Sequence, residues 1–116
     1  MKQNVSMVRG RTRIFNVRVT DGTGAAYILG TGEKLIFGVK KNYFDSGYLI
    51  KKSITSVNAT SEPGVYAVVI KPEDTASLTC DIYCYDVGLQ SGSDYYSVID
   101  CSHFVIEPNI TGEEVQ

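Results

Sequence analysis

The sequence predicts an all-β domain, an antiparallel β-sandwich or barrel of about eight short strands. Three observations carry this. Runs rich in β-branched and aromatic residues recur at close spacing, each bounded by glycine, proline, asparagine, aspartate or serine. Apolar residues do not repeat with helical period over more than one turn. The stretch from Asp81 to Pro108, DIYCYDVGLQSGSDYYSVIDCSHFVIEP, reads as a long hairpin whose apolar face needs a covering layer in water.

The first element is Val5 to Asp21, where Phe15, Val17 and Val19 alternate with Asn16, Arg18 and Thr20, as on a half-buried strand. Arg9, Arg11 and Arg13 alternate too, and form a basic edge that resists strand-to-strand aggregation. Asp21 to Gly24 is a turn, Ala25 to Leu29 a short strand, and Gly30 to Gly32 a second turn. Lys34 to Lys40 follows with Leu35, Phe37 and Val39 facing inward. The string GTGEK is not a phosphate loop, because it lacks the lysine-serine/threonine ending and no helix follows it. Lys41 to Gly47 is a loop carrying Tyr43 and Phe44, and Tyr48 to Val57 is a strand. Val65 to Ile70 is apolar almost throughout, as in a deeply packed strand. Lys71 to Ala76, KPEDTA, is the one helical start, with proline in the first turn and acids at its positive end.

The closing hairpin has a register that can be derived. Ser91-Gly92-Ser93-Asp94 supplies the turn, which sets Gln90 opposite Tyr95. Tyr83, Tyr85, Val87 and Leu89 then share a face with Tyr96, Val98 and Phe104. Cys84 falls opposite Cys101, close but reduced, with Cys80 apart from both.

Composition narrows the function classes. The 116 residues, 43% hydrophobic and 21% charged with a net charge of −2, are expected to form one domain over 1–116, with a frayed acidic tail at 111–116. This balance lacks the basic footprint of a nucleic-acid partner. The opening MKQNVSMVRGRTR has no apolar core of a signal peptide, and no run reaches the ~20 apolar residues that span a bilayer. A soluble protein that is not exported is therefore expected, and its odd count of three cysteines fits free thiols in a reducing compartment. Charge is uneven. Residues 1–55 hold ten lysines and arginines against three acids, a net of +7, while residues 56–116 hold one lysine against ten acids, a net of −9. The two sets either neutralise each other within the fold or give the domain a basic and an acidic side that meet a neighbour's.

No constellation points to catalysis, and a non-enzyme is expected. Cys80, Cys84, Cys101 and His103 resemble a zinc set in spacing only. Residues four apart on a strand lie ~13 Å apart, whereas thiolate ligands converge within about 2.3 Å of one ion. Neither metal nor cofactor is expected. His103 is the single histidine, and the acids are scattered over turns and strand edges. The exposed candidates for an interaction surface are Tyr43, Phe44 and Tyr95, since loop tyrosines suit binding of a protein or a sugar. Their bland alternative is folding back on the rim of the domain.

Two resemblances follow from these residues. KPEDTA is similar to the corner that precedes the second cysteine of immunoglobulin variable domains, with Cys80 at the matching distance. Leu78 occupies the corner-tyrosine position, and the upstream cysteine and core tryptophan are missing. More broadly, Val8-Arg9-Gly10, Phe15-Asn16-Val17, Asp21-Gly22, the run Gly32 to Val39, Tyr83 to Val87 and Phe104 to Pro108 together resemble the immunoglobulin-like N-terminal domain of phage baseplate upper proteins (the BppU family) and related small tail proteins. The resemblance implies an antiparallel immunoglobulin-like β-sandwich of seven to eight strands with at most one short helical turn. It also implies a structural virion component of a bacteriophage tail or baseplate, partnered by other tail proteins or by copies of itself, while composition and hydropathy argue against a nucleic-acid or membrane partner.

Overall fold

The computed structural model describes residues 3–108, so the tail at 111–116 lies outside the described residues. The described chain is mostly β. In order come β1 (Val5–Val8), β2 (Arg13–Arg18), β3 (Glu33–Lys40), β4 (Ile50–Ile54), β5 (Val65–Ile70), β6 (Ile82–Ser91) and β7 (Asp94–Glu107). They build a five-stranded sheet in the order β1-β7-β6-β3-β4 and a two-stranded sheet of β2 and β5. A one-turn α1 (Pro72–Thr75) is joined by a 3-10 turn at Ser56–Asn58, one short helical turn more than the sequence suggested.

The larger sheet is mixed rather than wholly antiparallel. β1 runs parallel to β7, from Val5 beside Phe104 to Val8 beside Glu107, and the other pairings are antiparallel. What reads as one strand from Val5 to Asp21 is thus two strands in different sheets. Gly10, at φ 77, turns the chain between them through a conformation that costs residues with a Cβ. The α1 corner fixes this turn. The Gly10 N–H donates to the buried Thr75 hydroxyl at 2.8 Å, and the Arg9 guanidinium donates to the carbonyls of Leu78 and Ala76. Arg9 is therefore a clamp between two corners as well as part of a basic edge.

The two sheets share one core. Phe37 of β3, fully buried, packs against Phe15 of β2 at 5.5 Å between ring centroids, Tyr85 of β6 at 5.4 Å and Phe104 of β7 at 6.1 Å. Edge-on and tilted contacts suit the ring quadrupoles. Leu35, Phe37 and Val39 point inward as the alternation predicts. Ala25 to Leu29 does not form a strand, although its residues read as one. Only an isolated bridge joins Thr20 to Ala26. The Tyr27 N–H donates to the Val19 carbonyl and the Asp21 N–H to the Ala25 carbonyl, and beyond them the buried Tyr66 hydroxyl accepts the Leu29 N–H at 2.8 Å and donates to the Tyr27 carbonyl at 3.0 Å.

The closing hairpin keeps its predicted register only near the turn. Gln90 faces Tyr95 and Ser91 faces Asp94, which leaves a two-residue loop of Gly92 (φ 61) and Ser93. Glycine in the first loop position matches the tight turns whose twist suits a hairpin. Two irregularities follow. Val98 is extra between Gly88↔Ser97 and Val87↔Ile99, and Asp86 then stands against both Asp100 and Cys101. Cys84 consequently pairs with His103, not with Cys101. Ile99 and Ser102 turn inward, while Tyr96 is 54% exposed and Val98 only half-buried. Bulges of this kind bend a strand and re-aim its side chains.

A tyrosine closes the corner before β6, five residues beyond the Leu78 position. The Tyr83 hydroxyl donates to the Thr79 carbonyl at 2.8 Å and lies 3.1 Å from the Thr79 hydroxyl. Tyr83→Phe is expected to cost about 1 kcal/mol, read as a lower urea midpoint with an unchanged slope; an unchanged midpoint would mean the corner is held by packing alone.

The basic and acidic halves of the chain do not fall in separate sheets. Each sheet holds strands from both, β1, β3 and β4 with β6 and β7 in the larger and β2 with β5 in the smaller. The ion pairs Arg18–Glu62, Lys41–Asp81 (3.4 Å) and Lys52–Asp74 (2.7 Å) each join a base of the first half to an acid of the second. The last is the most sheltered, its side chains 28% and 19% exposed. Burial alone would raise the Asp74 carboxyl. Hydrogen bonds from Lys52 and from the Lys71 N–H, with the charges of both lysines, outweigh that and lower it below 3.8. A depressed folded-state pKa stabilises the fold above the unfolded value and loses that contribution as pH falls through the folded one. Wild type should thus exceed Asp74→Asn in stability by about 1 kcal/mol at neutral pH, and the gap should close below about pH 4. Thermal melts of both proteins across this range check it.

Candidate functional site

Outward-facing positions of the five-stranded sheet carry two glycines in strand interiors, Gly38 on β3 and Gly88 on β6. Each is covered by a tyrosine ring. A Cβ on Gly38 would lie 2.4 Å from the Tyr48 ring, and one on Gly88 would lie 2.2 Å from the Tyr95 ring. The missing side chains therefore let two rings lie flat on the sheet. Both rings nevertheless keep about half their surface in solvent, Tyr48 at 47% and Tyr95 at 60%.

The loop between β3 and β4 adds the other aromatics. Asp45 closes it, its carboxylate accepting the Asn42 N–H at 3.0 Å and its carbonyl accepting Lys40 Nζ at 2.7 Å. The Lys40 ammonium also sits 4.8 Å from the Tyr48 ring centroid, with that of Lys51 at 5.3 Å, within cation–π reach. On the loop, Tyr43 and Phe44 are 76% and 72% exposed and meet edge to face at 5.3 Å. Tyr43 borders a shallow cleft of about 90 Å³ with Tyr48, Lys40, Asp86, Cys84 and Cys101.

Electrostatics tie the face together. Desolvation pushes the Asp86 carboxyl up, offset in part by Lys40. Desolvation, then the charge of Asp86 and the neighbouring Tyr48, push the Tyr95 phenol up. Beneath the cleft, burial holds the Tyr85 phenol at about 12, and its hydroxyl donates to the Gln3 carbonyl. These tyrosines stay neutral at physiological pH, so the face offers rings, hydroxyl donors, one carboxylate and two ammonium groups.

The three residues singled out from the sequence are all exposed, and the structure sets them on one face. Tyr43 and Phe44 touch each other, and Tyr95 lies toward the hairpin tip beyond Asp86. Sequence reasoning missed Tyr48 and its glycine seat. The available signal was a glycine at an outward position in a strand interior, which marks close approach of another group. Among the described residues, no group of three or more His, Cys, Asp or Glu is placed to hold a metal ion, and no helix is long and apolar enough to cross a membrane. No family model matches the chain, and no curated protein matches it.

Proposed function

We propose that the chain is a non-enzymatic assembly module of a bacteriophage tail or baseplate, carried in the virion and working through protein–protein contacts. The observation that carries this reading is the aromatic face of the larger sheet. Rings that lie on glycines are held in place before a partner arrives, so little side-chain entropy remains to be lost on docking. Tyrosine-rich patches are also the composition that protein interfaces favour. The sequence resemblance to baseplate upper proteins supports the phage setting.

The finer fold assignment belongs to the same reading. A β3-β4 pair continuing through β6 and β7, opposed by β2 and β5, follows the sheet division of an immunoglobulin-like sandwich, and a tyrosine corner before β6 is a mark of that fold. The parallel β1 is then an added edge strand. Since the ion pairs link the two halves of the chain internally, the assembly contact is aromatic rather than a basic side meeting an acidic one.

Labelling purified particles of the encoding phage with antibody to the chain tests the setting. Label at the tail tip supports it, and absence of the chain from particles overturns it. A glycan array tests the competing use of the same residues. Reproducible sugar binding that disappears in Tyr43→Ala or Tyr95→Ala would make the face a carbohydrate site instead.

A further inference from the structure

The bulged segment of β7 places two thiols together. Cys84 on β6 and Cys101 on β7 line the same outer cleft. The Cys101 side chain is near enough to help push the Cys84 thiol up, although the register sets Cys84 against His103. Both are free thiols, Cys101 exposed and Cys84 half-buried, and the Cys84 thiol donates to the Lys40 carbonyl at 3.4 Å. Cys80, on the corner before β6, is not part of the cleft lining. Cys101 and Asp100 together oppose the single residue Asp86, so Cys101 is not fixed in a one-to-one pair. A bulge bends more readily than a regular ladder, and a disulfide requires its two Cβ atoms to come within about 4 Å.

We propose that Cys84 and Cys101 form a dithiol modification site, which a low-molecular-weight disulfide oxidises to a cystine joining β6 to β7. The exposed Cys101 reacts first. Its thiolate attacks one sulfur of the small disulfide, the sulfur–sulfur bond breaks, and one small thiolate leaves and takes up a proton. Cys84 then loses its proton to water and attacks the Cys101 sulfur of the mixed disulfide, releasing the second small thiol. Two protein thiols are oxidised and one small disulfide is reduced to two thiols. Burial and the neighbouring Cys101 push the Cys84 thiol up, so less of it is thiolate and the first attack falls to the exposed Cys101. The site does not depend on the assembly reading.

The test is exchange of the reduced full chain with oxidised glutathione, followed by acid quenching, alkylation and peptide mass spectrometry. The expected product links the β6 and β7 peptides with loss of two hydrogens and no retained glutathione, and Cys80 stays outside the link. Its thermal midpoint should rise by roughly 10 °C and fall back on reduction. Cys84→Ser should stop at a glutathione adduct on Cys101. Glutathione retained on Cys101 of the wild type while Cys84 remains alkylatable, a link through Cys80, or no reaction at either residue would each overturn the proposal.

Discussion

Phe37→Ala is expected to remove about 3–5 kcal/mol of folding stability, which is the range for deleting a buried aromatic ring. The size follows from position. Phe37 is fully buried on a central strand and touches rings from β2, β6 and β7, so its loss opens a cavity that both sheets border. Little can collapse into that space, because the neighbouring rings are held by strands on either side. With total stabilities of about 5–15 kcal/mol typical of such domains, a large share of the folded state is at stake. Urea unfolding at 25 °C checks the result; a loss under about 1 kcal/mol would mean that the four rings do not form one packed unit.

The second large effect comes from a single oxygen. Tyr66→Phe keeps the ring in place but strips the partner from the Leu29 N–H and the Tyr27 carbonyl. An orphaned buried group costs about 1–3 kcal/mol, so the expected loss is about 2–3 kcal/mol, well above that of Tyr83→Phe. Its signature is also local. Amide exchange at Leu29 should quicken beyond what the global loss explains, since the Leu29 N–H bonds to this hydroxyl and not to a neighbouring strand. Equal quickening at every core amide would assign the loss to packing rather than to this bond.

What the sequence made legible was set by local chemistry. Alternation placed Leu35, Phe37 and Val39 inward on β3, and the glycine-serine turn set the hairpin register as far as Gly88. Beyond that point the register depends on how β7 bends over the core, and two bulges moved Cys101 away from its expected partner. Ala25 to Leu29 looked like a strand because its residues suit one, yet the Leu29 N–H and the Tyr27 carbonyl bond to a tyrosine 37 and 39 residues away rather than to a continuing ladder. Of the outer face, the exposed Tyr43, Phe44 and Tyr95 were visible as loop and turn aromatics. Tyr48 was not, because its placement follows from the glycine on β3 that its ring covers rather than from its own neighbours. The +7 and −9 halves were plain in the sequence, but their cancellation through Lys52–Asp74 and its counterparts needed the strand order.

The parallel pairing of β1 with β7 bears on mechanical load. A pull that enters the chain just before Val5 and leaves just after Glu107 acts at opposite ends of two strands running the same way. It shears their ladder, so the bonds from Val5 to Val8 carry the force together and must fail nearly at once. Antiparallel strands would have presented both points at one end and opened bond by bond, like a zip. Resistance to forced unfolding is set by the unfolding rate rather than by equilibrium stability. This short edge pair is thus expected to govern how the domain holds under tension.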